Sequence, residues 1–172
     1  MSPPPIPATY DQHVEVALPS LDTGRGIDAG YERWFPEPKL SFEVRGEVRE
    51  TAAGDYTGFR IGGGVEMKWF WRGDHEAWLS VLRAHHMVGW FLGAGLYLDG
   101  DFTHDDLDHR WLGSDLTVGT VGRVGYRIAP WRALTITSSA GIELQRDYDL
   151  SGRLESVVRG GATFGLDVGW LF

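Results

Sequence analysis

The chain closes on Val158-Arg159-Gly160-Gly161-Ala162-Thr163-Phe164-Gly165-Leu166-Asp167-Val168-Gly169-Trp170-Leu171-Phe172, and the reading of this stretch decides the fold class. Val158, Gly160, Ala162, Phe164, Leu166, Val168, Trp170 and Phe172 share one face. Arg159, Gly161, Thr163, Gly165, Asp167 and Gly169 share the other. A period of two is the mark of a strand with one apolar and one polar side.

Working back from there, the same period recurs. Leu134, Ile136, Ala140, Ile142 and Leu144 oppose Thr135, Thr137, Ser139, Gly141, Glu143 and Gln145. Val118, Val124, Tyr126 and Ile128 oppose Thr117, Gly119, Arg123, Gly125 and Arg127. Trp90, Leu92, Ala94, Leu96 and Leu98 oppose Gly89, Gly93, Gly95, Tyr97 and Asp99. Phe59, Ile61, Val65, Met67, Trp69 and Trp71 oppose Arg60, Gly62, Gly64, Glu66 and Lys68. Leu40, Phe42, Val44 and Val48 oppose Ser41, Glu43, Arg45, Glu47 and Arg49. Ile27, Ala29 and Tyr31 oppose Asp28, Gly30 and Glu32, and Val14 and Val16 oppose His13 and Glu15. Eight strands result, and the charges on their apolar face are Arg33 and Arg146.

Connections sort by end. Pro36 to Pro38 and Ala129 to Arg132 read as tight turns, whereas Glu50 to Asp55, Thr103 to Asp115 and Tyr148 to Ser156 read as longer polar loops. Residues 72–87 break the alternation; Asp74 followed by Trp78 and Leu82 predicts a short amphipathic helix over 74–86. Residues 1–12, with four prolines among the first ten, read as an extended tail before a barrel over 13–172.

Composition narrows the class. A net charge of -8 argues against a phosphate-backbone partner, so no nucleic acid is expected. The absence of cysteine excludes disulfides and thiolate chemistry. The apolar run Val88 to Leu98 is shorter than the ~20 residues a transmembrane helix needs. Of sixteen basic residues only Lys39 and Lys68 are lysine. Arginine predominates where a cation must be paired away from water, because its planar fork meets a carboxylate with two hydrogen bonds.

Alternation alone fits a soluble barrel with an apolar lumen or a membrane barrel with a polar one. Several features favour the second. The polar face is glycine and paired charge, and glycine on a water-facing strand weakens it without gain. Aromatic residues gather at strand ends: Tyr31, Trp34 and Phe35, Trp69 and Trp71, Tyr126 and Trp131, Trp170 and Phe172. Such bands mark membrane–water interfaces. The strands also reach the ~9–11 residues of a tilted bilayer crossing. The interior is expected to hold Glu15, Asp28, Glu32, Glu43, Arg45, Glu47, Arg49, Arg60, Glu66, Lys68, Asp99, Arg123, Arg127, Glu143, Arg159 and Asp167. An eight-stranded barrel is just wide enough for its own side chains, so these form a salt-bridge network with a closed lumen. Membrane-interface positions are expected at Tyr31, Trp69, Trp71, Tyr126, Trp131, Trp170 and Phe172.

From His13 to Phe172 the chain resembles the small eight-stranded bacterial outer-membrane barrels of the OmpA transmembrane-domain and OmpX/Ail type. The final Trp170 and Phe172 are similar to the C-terminal signal read by the barrel-assembly machinery; Asp167 stands where that signal has a glycine, with Gly165 and Gly169 beside it. The resemblance implies an up-and-down transmembrane barrel in the outer membrane of a Gram-negative bacterium, with periplasmic termini and lipid or lipopolysaccharide around it. It implies no cofactor.

Three further constellations bear on chemistry. The run from Asp99 to His109 holds five aspartates and two histidines, but lacks the order and distal Glu of a calcium loop, so it reads as a solvated acidic loop. His85 and His86 are neighbours and cannot form a zinc pair at helical spacing. The His-x-Ser pair of barrel-type deacylases is absent; His104, Asp105 and Asp106, with Ser114 or Ser151, are the residues a lipid-modifying enzyme would draw together. No enzyme signature emerges. The expectation is a structural or surface-interaction barrel whose loops, above all Thr103 to Asp115 with Trp111, meet partners. The alternatives are a soluble lipocalin-like barrel with Trp90, Phe59, Phe42 and Ile136 lining an apolar cavity, and the lipid-modifying enzyme.

Overall fold

A computed structural model describes residues 11–17, 26–37, 39–53, 56–71, 87–105, 110–131, 133–149 and 156–172. Eight strands follow in order: β1 (Gln12–Ala17), β2 (Gly26–Phe35), β3 (Leu40–Ala53), β4 (Tyr56–Phe70), β5 (Gly89–Asp105), β6 (Arg110–Trp131), β7 (Leu134–Asp149) and β8 (Ser156–Leu171). Each pairs antiparallel with its neighbour in sequence, and β1 pairs with β8, so the sheet closes into an up-and-down barrel. Among the described residues β1 pairs with Asp167 to Leu171 of β8, and residues 156–166 have no described partner on that side. Among the described residues there is no helix; the predicted helix over 74–86 and the first ten residues lie outside them. The barrel begins one residue earlier than expected, at Gln12, which pairs with Arg33.

The period-two reading places side chains as the pleat demands. Most strand valines, leucines and isoleucines stand outside, among them Val44, Ile61, Leu96, Val124 and Leu166, while Glu15, Glu32, Glu43, Glu66, Lys68, Arg127 and Asp167 are buried within. The core of an ordinary soluble barrel is thus inverted. Interior glycines make room for this filling. A side chain at Gly119 would collide with the Tyr97 ring, and one at Gly93 would meet the Glu66 carboxylate.

Two ends are distinguishable. At the lower end β2 turns into β3 through Pro36 to Lys39, where the Lys39 N–H donates to the Pro36 carbonyl and Lys39 takes a left-handed φ of 65°. At the upper end the ladders run further than the alternation indicated. Ala53 pairs with Tyr56, Asp105 with Arg110 and Asp149 lies opposite Asp115. Glu50 to Ala53, most of Thr103 to Asp115, and Tyr148 to Asp149 are therefore strand and not loop. The physical reason is that a hairpin leaving an apolar surroundings keeps its backbone ladder but no longer needs an apolar face, so its sequence loses the signal. A register shift between Thr103 and His104 accompanies the extension of β5 and β6.

Candidate functional site

The lumen is the part of this molecule with concentrated chemistry, and it is layered. At the lower end the inward positions are apolar: Trp34, Phe70, Met87, Val88, Phe91, Ala129, Ala133 and Leu171 form a buried cluster. Trp34 meets Phe70 edge-on at 6.0 Å between ring centres, and Phe70 meets Phe91 at 5.4 Å. This plug closes the barrel floor. It corrects the placement of Trp34 among the interface aromatics: two residues beyond Glu32 on one strand, Trp34 must share its inward face.

Above the plug lies an ionic layer. Arg127 donates from Nη2 to Glu32 at 2.7 Å and to Glu15 at 3.2 Å, and from Nε to Thr137 at 2.9 Å. Lys68 Nζ lies 3.4 Å from Glu32 and 3.5 Å from Glu15, and also pairs with Glu43. The Phe91 and Phe70 rings of the plug lie 5.4 Å below Lys68 and Arg127, respectively, presenting their faces to the two cations. His13 joins this layer through Nε2 and the Thr135 hydroxyl at 2.7 Å. Ligand atoms of His13, Glu15 and Glu32 gather within 4.8 Å of one another. Arg127 and Lys68 already hold the same two carboxylates, however, so the cluster is charge-balanced and is not a vacant cation site.

A third layer rests on two arginines. Arg45 bonds Glu43 at 2.9 Å, reaches Asp28 and Asp167 at 3.4 Å each, and pairs with Glu15. Arg123 grips Glu66 with Nε at 2.8 Å and with Nη2, a two-pronged contact. Above them opens a polar well of about 380 Å³, bordered by Asp28, Glu47, Arg49, Arg60, Tyr97, Asp99, Glu143 and Gln145. Arg49 holds Glu47 at 2.9 Å, and the Tyr97 hydroxyl donates to Gln145 at 3.2 Å. At the rim, Arg60 makes a fork onto Asp101 with two contacts of 2.8 Å. Burial and the nearby Asp149, Asp101 and Asp147 push the Asp115 carboxyl up at this acidic mouth.

The sequence-derived interior residues Glu15, Glu32, Glu43, Arg45, Glu47, Arg60, Glu66, Lys68, Arg123, Arg127, Glu143 and Asp167 all face this lumen or its well. Arg159 departs from the expectation. It is 65% exposed and bonded at 3.2 Å to Asp147 at the rim. Outside, Trp69, Trp71, Trp90 and Tyr126 form a continuous band at the lower end, with Trp71 and Trp90 stacked at 6.3 Å and Trp90 5.0 Å from Tyr126. Tyr31, Trp131, Trp170 and Phe172 stand exposed near the same end. Phe42, Phe59 and Trp90, which a soluble barrel would turn inward, are exposed on the outer surface, so no apolar ligand cavity exists among the described residues.

Within the acidic run, Asp99 to Asp105 are strand and not loop: they belong to β5, and His104 pairs across to Trp111 of β6. Asp106, Ser151, His75, His85 and His86 lie outside the described residues. The reading of the sequence put His13 on the polar face without an interior role and missed the plug residues Phe70, Phe91 and Leu171. The signal for these three was present in the period: each follows an inward charged or glycine position by two.

No family model matches the chain, and no curated protein matches it. Among solved structures it is similar to the crystal structure of Neisserial surface protein A (NspA), with 15% sequence identity, a TM-score of 0.44, and coverage of 94% of this chain and 93% of that one. The class, a closed eight-stranded antiparallel barrel with a charge-paired interior, follows from this chain's own strand pairing.

Proposed function

We propose that the chain is an integral barrel of a bacterial outer membrane, of structural or surface-interaction type, with a lumen closed to through-flow. The observation that supports this best is the inversion of its faces: ion pairs inside, and Leu144, Ile142, Phe164 and Leu96 outside. In water such an exterior carries a continuous apolar patch far beyond the few hundred Å² a soluble monomer tolerates. In a bilayer it is what lipid requires, and strand-to-strand pairing is how a backbone meets its hydrogen-bonding need there. The aromatic band at the lower end belongs at a headgroup boundary.

The plug and the ionic layer support a closed lumen and a passive role. The longer upper hairpins are the parts available to partners, with the lower end and both termini facing the periplasm. Lipid or lipopolysaccharide surrounds the wall, the barrel-assembly machinery engages the β8 strand, and nucleic acid is no partner. We assign no catalytic activity to His104 and Asp105.

The test is a detergent dependence. The chain refolded into micelles should migrate differently on a denaturing gel before and after boiling, with strand-rich circular dichroism appearing only in micelles. A monomer fully folded in plain buffer would sink the membrane reading.

A further inference from the structure

The well above Arg45 and Arg123 is not neutral. Seven carboxylates border it against four guanidiniums, a formal excess of three negative charges. The ionic layer beneath offers no surplus, since Lys68 and Arg127 are matched by Glu15 and Glu32. Arg45 is shared among four carboxylates, and it reaches Asp28 and Asp167 only at 3.4 Å each. One oxygen of each is left over. Asp28 Oδ1 is buried and accepts no hydrogen bond. Asp167, with its side chain 3% exposed, meets Arg45 through Oδ1. A buried carboxylate oxygen without a donor is costly until a cation supplies one.

Strand pairing sets the heights of these groups. Asp167 pairs with Ala17, and Asp28 follows on from the Val16–Ala29 pair, so the two carboxylates flank the short side chain of Ala17. Both touch Nη1 of Arg45 and stand close together on the floor of the well. From Asp167 the cross-strand row descends through Thr137 to Arg127 in the ionic layer. From Asp28 it climbs through Glu47 and Gly62 to Asp99, and on through Thr117 to Asp147 at the rim. Such a climb is the stagger that closing a barrel imposes. Asp99 therefore stands nearer the mouth than Asp28, and Glu143 lies further up β7 than Thr137. Asp99 and Glu143 both border the well, and neither forms an ion pair among the described residues. The His, Asp and Glu group close enough to hold one ion is His13, Glu15 and Glu32, below the well. The carboxylates of the well are spread over its height instead, which suits an extended cation and not a single metal ion.

We propose that the well binds a linear polyamine, with one ammonium group at Asp28 and Asp167 on the floor and another at Asp99 and Glu143 nearer the mouth. An ammonium is compact and carries three donors, so it can meet the oxygens that Arg45 leaves free. Its two or three charges offset the excess of the lining. The volume of about 380 Å³ falls within the range of about 300–1,000 Å³ for small-molecule sites. The acidic mouth, with Asp101, Asp115 and Asp147, draws cations inward. The inference goes beyond the structural role proposed above and does not depend on the membrane reading, since the well belongs to the barrel in any surroundings.

The experiment uses the full chain refolded in maltoside micelles, with folding checked by the gel shift. Calorimetry at low ionic strength then follows titration with spermidine, with n-butylamine, which has a single ammonium group, and with magnesium chloride. Spermidine should bind once per barrel and about tenfold or more tightly than either of the others, the difference a charge-assisted contact makes. Asp99→Asn and Glu143→Gln, which break no ion pair and so leave the fold intact, should each weaken spermidine about tenfold. Asp28→Asn should do the same from the floor, and Glu37→Gln, in the exposed lower turn, should change nothing. Absence of saturable binding, equal affinity for spermidine and n-butylamine, magnesium binding as tightly as spermidine, or wild-type affinity in Asp99→Asn and Glu143→Gln would each overturn the proposal. Should Asp28→Asn not fold, the two upper variants decide. A chain that folds in plain buffer is titrated there, so the membrane reading can fail without touching this test.

Discussion

Arg127 reaches Glu15 and Glu32 from one guanidinium, and none of the three touches solvent. Removing the cation leaves two buried carboxylates short of a partner, with Lys68 shared between them, Arg45 on Glu15 and His13 beside both. Arg127→Ala should therefore destabilise the barrel by about 3–5 kcal/mol, the range for breaking a buried pair. Arg159, bonded to Asp147 but mostly exposed, provides the contrast: Arg159→Ala should change stability by less than about 1 kcal/mol. Urea unfolding midpoints in micelles compare the two. Equal effects would mean that the inner layer is wet.

Along a single element, the direction in which a residue faces decides what a methyl group does. Gly93 on β5 faces the lumen, where an added Cβ would press on Glu66 and come 3.3 Å from the Arg123 Cγ. Gly122, one register position along in the β5–β6 ladder, faces out into open space. Gly93→Ala should push Glu66 off Arg123 and cost about 1–3 kcal/mol, as overpacking does. Gly122→Ala should stabilise by about 0.5–1 kcal/mol, because alanine loses less backbone freedom than glycine. Unfolding in urea measures both, and the same sign for both would contradict the assigned faces. Strand faces were legible in the sequence because the pleat leaves a period of two wherever one side meets an apolar medium. The upper ends of β3, β5 and β6 were not, since both sides there are polar and only the backbone ladder persists. The plug was hidden by a different cause: Trp34, Phe70 and Phe91 are apolar on the polar face, and an aromatic near a strand end reads equally as a membrane anchor.

At the scale of the whole molecule, alternation named the barrel without saying which way it was turned. Glycine and arginine on the polar face, with hardly any lysine, carried that distinction, because only an enclosed face needs room and forked cations. The same scarcity has a practical side. The side-chain amines of this chain are those of Lys39, exposed in the turn after β2, and Lys68, sealed among Glu15, Glu32, Glu43 and Phe91. A water-soluble acylating reagent should mark Lys39 in the folded barrel and reach Lys68 only once the wall has opened. Peptide mapping after timed exposure would then read the second mark as a clock of unfolding, and prompt acylation of Lys68 in the folded state would contradict its enclosure. The barrel thus carries its own chemical stopwatch, with one lysine as the reference and the other as the hand.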